Sequence, residues 1–188
     1  QRRGDRVSPP PRQPRGTGDP RVVIVGAGGW VFPMELTRDL LSFPFNSSSS
    51  VMWYNKDAFK KAGLDPNNPP KTWPETFEAA KKLQANGYAT CGMASAWITW
   101  LNIEQFSVWH NVPLATKGNG MQGMDARMKV NSALHVRHIE NLANMAKQGL
   151  FVYKGRGNVP EASFVSGECA MITTCSCFYG NAKRNAKF

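Results

Sequence analysis

No uninterrupted apolar run in these 188 residues reaches the length of a bilayer-spanning helix, which excludes a helical membrane insertion. Residues 1–19 carry charge but no apolar stretch, so no secretion signal is expected within them. Cysteine is sparse. Cys91, Cys169, Cys175 and Cys177 are too few to staple a chain of this length, and Cys175-x-Cys177 lacks the second pair and the nearby histidine of a structural zinc knuckle. One disulfide and free thiols both remain open from spacing alone. Histidine is scarcer still. His135 and His138 share a helix face at i, i+3 without a third ligand, so with His110 they are expected on a solvated surface and not around a metal. Neither a nucleophile–base–orienter set nor a catalytic carboxylate pair is present. Glu75, Glu78 and Glu104 read as a helix cap and helix-surface charges. The expectation is a protein that catalyses no reaction and needs no cofactor.

Acidic residues are also few: 13 against 23 lysines and arginines, for a formal charge of +10. Six arginines and two aspartates fall in residues 1–21, a Pro-rich segment with almost no large apolar side chain. Such a segment buries too little to offset its ordering entropy, so a disordered, solvated arm is expected there, with no nucleic-acid partner. The remaining positive charge suits an anionic ligand or simply a soluble surface.

Beyond the arm, "VVIVGAGGW" (22–30) has the form of a strand entering a glycine turn, followed by a short helix over 35–41. The dinucleotide fingerprint is incomplete. Val31 occupies the place of the third glycine, and Asp39 comes too early to hold a ribose. Composition then shifts to "FPFNSSSS". From there the pattern predicts a strand at 51–55, a helix at 57–62 closed by Gly63, and a helix opened by Thr72, Pro74 and Glu75 and stopped by Gly87. Further helices are predicted at 98–109 and across "SALHVRHIENLANMAKQG", the latter with Leu134, Ile139, Leu142 and Met145 as its apolar face. "ECAMITTCS" reads as a buried strand. Helices alternating with short strands make the fold class α/β.

Two groups suit ligand binding. Asn46 and Ser47–Ser50 offer a dense set of hydrogen-bond donors, or a flexible polar loop. Trp97 and Trp100, at i, i+3 on a predicted helix, share a face whose rings could pack a ligand or attract a cation, or else fill the core. Trp53, Trp73 and Trp109 are assigned to packing.

The stretches "SFPFNSSSSVMWYNKDAFKKAGLDPNNPPKTWPETFEAAKKL", "ASAWITWLNIEQFSVW" and "FVSGECAMITT" resemble the family 1 solute-binding proteins of ABC transporters, the tryptophan segment marking their glycerol-phosphate subgroup. The resemblance covers residues 41–188. It implies one incomplete lobe of a periplasmic-binding-protein-like (type II) two-lobe clamshell. It further implies periplasmic location, a small anionic glycerol-phosphate ligand, ABC permease membrane subunits as partners and a monomeric state. Ser48, Trp97, Trp100, Cys175 and Ser176 fall at or beside its ligand positions. At Cys175 the family has serine, and a thiol is the weaker donor. Cys91 and Cys169 coincide with family cysteines, and their bonding is a hypothesis that the resemblance raises.

Residues 22–44 are instead similar to the N-terminus of family 4 glycoside hydrolases, which use NAD and a divalent metal. The expected organisation is therefore a basic arm (1–21), a partial strand–turn–helix segment (22–45) and a partial solute-binding lobe (46–188). The alternatives are a fragment of an NAD- and metal-dependent glycosidase, or a truncated fusion without tight ligand binding.

Overall fold

The chain leaves its first strand through Asn55, whose side chain accepts the Ala58 N–H at 2.9 Å and starts a helix at once. A computed structural model describes residues 48–188. The arm, the 22–45 segment, and Asn46 and Ser47 lie outside the described residues. Three strands form one sheet: β1 (Ser50–Tyr54), β2 (Cys91–Ser95) and β3 (Cys169–Cys175), in the order β1-β3-β2. β1 runs antiparallel to β3, with Ser50 opposite Cys175, and β2 runs parallel to β3, with Cys91 opposite Cys169. The helices that accompany the sheet include α1 (Lys56–Lys61), α2 (Trp73–Ala85), α3 (Phe106–Trp109), α4 (Ala133–Lys147), α5 (Glu161–Val165) and α6 (Tyr179–Asn185). The α/β class is thus observed.

The cap signals act as read. Thr72 Oγ1 accepts the Glu75 N–H, and Pro74 sits in the first turn of α2. The Glu75 carboxylate reaches one residue further back than a standard capping box, accepting the Lys71 N–H at 2.6 Å. That bond holds its pKa below the ordinary carboxylate value. Gly63, Gly87 and Gly149 end their helices with φ of 73°, 68° and 72°.

β2 has no β-branched residue and was not anticipated. All five of its residues are buried. Gly92 permits this: a Cβ there would meet Ala80 Cβ at 2.8 Å and the Leu150 carbonyl at 3.0 Å, so α2 packs directly on the strand backbone. The core divides into two clusters. Phe59, Leu83, Met93, Met145 and Met171 anchor the first, and Cys91, Phe164, Cys169, Ile172 and Phe178 the second. Cys91 and Cys169 are cross-strand partners 4.4 Å apart at Cα and are disulfide-bonded.

The face of α4 differs from expectation. His135 and His138 are buried (1 % and 4 % exposed) beside Leu142 and Met145, whereas Ile139 is exposed. The reason is polar satisfaction and stacking. Both ring nitrogens of His135 are hydrogen-bonded at 2.7 Å, to Ser132 Oγ and Ser107 Oγ. His138 lies flat on Phe106, centroids 3.9 Å apart, with Trp73 beside it. Burial, then the neighbouring His110 and His135, push its pKa down to about 4, so it is neutral near pH 7.

Candidate functional site

In a parallel pair both carboxyl ends lie at one edge of the sheet, the usual place for a ligand crevice. β2 and β3 end together in this way, and antiparallel β1 begins at the same edge. The topology therefore brings Ser48, Trp97 and Cys175 to one place from three distant parts of the chain. They line a cavity of ≈ 830 Å³ together with Trp100, Cys177 and a loop that includes Arg156.

Trp97 does not stand on a helix, contrary to the predicted shared face. It precedes the helix in the left-handed region, φ 43°, a conformation an L residue adopts only when its surroundings hold it there. Three hydrogen bonds do so. Its N–H donates to the Gly157 carbonyl at 3.1 Å, its carbonyl accepts the Leu101 N–H at 2.9 Å, and its indole Nε1 donates to Asn158 Oδ1. The indole remains 45 % exposed, a large aromatic surface held open rather than packed.

The following helix widens into a π-helical turn over Trp100–Gln105 before α3. Such turns recur at functional sites because they re-aim side chains. Trp100 and Glu104, four residues apart on this turn, both line the cavity. Trp100 Nε1 is a buried donor without a hydrogen-bond partner among the described residues. Glu104, read from sequence as a surface charge, thus belongs to the cavity wall.

The loop 153–158, hydrogen-bonded to Trp97, adds Tyr153, Arg156 and Asn158 to the lining. Sequence reasoning missed all three. Gly155 and Gly157, with φ of 116° and 56°, were the available signal: they let a short loop turn beside Trp97.

Cys175 is bonded to Cys177, so it carries no S–H to donate. The expectation of a weak thiol donor is corrected accordingly. Ser176 does not line the cavity. Its Oγ accepts the Ser49 N–H at 3.1 Å and its N–H donates to the Ser49 carbonyl at 2.7 Å, which pins the segment bearing Ser48 to the end of β3. Of the other tryptophans, Trp53 packs on Phe178 as expected. Trp109 does not: it is 57 % exposed and borders a second cavity of ≈ 520 Å³ with Trp73 and His110.

A family model described as "Bacterial extracellular solute-binding protein" matches residues 17–174. The chain belongs to this family. An sn-glycerol-3-phosphate-binding periplasmic protein UgpB of Brucella abortus is 55% identical over 137 residues, covering 73% of this chain and 32% of that protein. The protein of the same name from Yersinia enterocolitica is 49% identical over 152 residues, covering 81% and 34%. The chain spans about a third of the length of the curated relatives it matches. Among solved structures, UgpB from Mycobacterium tuberculosis in complex with glycerophosphocholine aligns with a TM-score of 0.59 at 18% identity, over 75% of this chain and 35% of that one. A cyclic alpha-maltosyl-1,6-maltose binding protein from Arthrobacter globiformis aligns with a TM-score of 0.58 at 20% identity and the same coverage. The described residues therefore have the α/β fold of part of a solute-binding protein. Among them no helix is long and apolar enough to cross a membrane, and no group of three or more His, Cys, Asp or Glu is placed to hold a metal.

Proposed function

We propose that this chain is the substrate-binding component, or a part of it, of an ABC importer for sn-glycerol 3-phosphate or a glycerophosphodiester. It works in the periplasm as a monomer, captures its ligand by cleft closure and hands it to the permease subunits in the membrane. No bond of the ligand is made or broken, and no cofactor or nucleic acid takes part.

The observation that carries this reading is the makeup of the cavity: two indoles and a guanidinium around one space, at the edge where β2 and β3 both end. The indoles offer apolar faces to a three-carbon skeleton. Arg156 offers paired N–H donors of the geometry a phosphate accepts. Ser48 and the buried Trp100 Nε1 add uncharged donors for phosphate or hydroxyl oxygens. Identity of about one half to relatives named for sn-glycerol 3-phosphate supports the choice of ligand class over sugars.

Tryptophan-fluorescence titration of the chain with glycerol 3-phosphate, glycerophosphocholine, maltose and NAD tests the reading. Saturable change with a glycerol phosphate is expected, weakened at least about tenfold in Trp97→Ala and in Trp100→Ala. A response to NAD or maltose without one to either glycerol phosphate would overturn it.

A further inference from the structure

Cys175 and Cys177 are bonded to each other across a single residue, Ser176, and both line the cavity. The two ends of this bridge are held differently. Cys175 is buried, pairs with Ser50 at the end of β3, and its carbonyl accepts the Trp53 indole N–H at 3.3 Å. Cys177 is exposed. The next residue, Phe178, is buried again and packs edge-on against Trp53 and Phe164. Ser176 and Cys177 are therefore an exposed pair suspended between two buried anchors, and the bridge closes a ring around Ser176. Ser176 in turn makes the two-way contact with Ser49 that holds the segment bearing Ser48. Both of these serines are exposed, so water competes for their hydrogen bonds. A ring that leaves Ser176 few other conformations lowers the cost of keeping that contact made.

We propose that the Cys175–Cys177 bridge is a reversible modification site, open to a dithiol reductant, that clasps the Ser48 wall of the cavity when oxidised and releases it when reduced. The reaction is thiol–disulfide exchange. One thiolate of the dithiol attacks the exposed Cys177 Sγ, the bond between the two protein sulfurs breaks, and Cys175 leaves as a thiolate that takes a proton from solvent. The second thiolate of the reductant then displaces Cys177 from the mixed disulfide. Two electrons pass to the protein, which gains two thiols, and the dithiol becomes a disulfide. The rest of the fold stands through this change. Cys91 and Cys169 are buried in the core, and Cys175 and Phe178 keep their own contacts. A cross-link over a sequence separation of 2 also contributes little to global stability. What the state of the bridge alters is the preorganisation of one wall.

The effect on ligand affinity rests on the proposed function, the clasp itself does not, and two measurements on the intact chain separate them. In the ligand-free chain, amide hydrogen exchange at Ser49 and Ser176 is expected to be at least about threefold faster after mild dithiol reduction, with Cys91–Cys169 shown intact by mass mapping. Calorimetric titration with glycerol 3-phosphate is expected to show binding about threefold to tenfold weaker in the reduced form, restored on reoxidation. The double variant Cys175→Ser, Cys177→Ser is expected to match the reduced chain in both readouts and to ignore the dithiol. Equal exchange in the two states, equal or tighter binding after reduction, or a bridge that yields only together with Cys91–Cys169 would overturn the inference. Faster exchange on reduction, with no glycerol phosphate bound in either state, would overturn the importer reading and leave the clasp standing.

Discussion

The indole N–H of Trp97 donates to Asn158 Oδ1, joining the turn after β2 to the loop 153–158, which lines the same cavity. Two wall segments more than sixty residues apart are thereby coupled through an exposed aromatic side chain of the cavity. Asn158→Ala is expected to weaken glycerol-phosphate binding about threefold to tenfold while costing at most about 1 kcal/mol of stability, because the bond is exposed and its loss mainly frees the indole. Parallel ligand titration and denaturant melts check this.

The two disulfides should differ in lability. Cys91–Cys169 is buried in the core and closes 78 residues of sequence, while Cys175–Cys177 spans a separation of 2 and has an exposed partner in Cys177. In the chain-entropy model the long loop contributes about 4 kcal/mol and the short one less than half of that. Mild dithiol treatment followed by alkylation and mass mapping is expected to label Cys175 and Cys177 first. Melting temperature should drop steeply only when Cys91 and Cys169 are labelled.

Buried His138 makes stability depend on pH. Its folded pKa lies at about 4, below the unfolded value near 6.5, so the unfolded chain takes up the proton first as pH falls. The contribution is complete above pH 6.5 and is lost between 6.5 and about 4, on the order of 2–3 kcal/mol. Urea melts across that range should show the decline, and His138→Phe should flatten it. An equal decline in the variant would assign the effect to other groups.

Gly92 tests the packing of α2. A methyl group there meets Ala80 Cβ and the Leu150 carbonyl at or below contact distance, so Gly92→Ala is expected to cost about 1–3 kcal/mol in chemical denaturation. A neutral result would mean that the helix can move off the strand freely.

How much of this was legible in the chain follows from where each cause resides. Helix α2 was readable because Thr72, Pro74 and Gly87 act locally, on their own backbone. β3 was readable from its unbroken apolar run. β2 was not, since "CGMAS" becomes a strand only because a helix covers it and Gly92 lets that helix approach. The inward face of α4 was misjudged because the partners of His135 and His138, namely Ser107, Phe106 and Trp73, lie on other elements. At the cavity, Ser48, Trp97, Trp100 and Cys175 do meet, but Trp97 arrives through a left-handed turn and not by helical spacing. Arg156 has no periodicity to announce it, only flanking glycines.

The most direct measurement follows the indole ¹H–¹⁵N resonances of the six tryptophans while glycerol 3-phosphate is added to the labelled chain. Shifts confined to Trp97 and Trp100, saturating together and leaving Trp53, Trp73 and Trp109 in place, are the expected result. Shifts at Trp73 and Trp109 instead would move the ligand to the second cavity, and unchanged resonances throughout would contradict the assignment of this cavity to a glycerol phosphate.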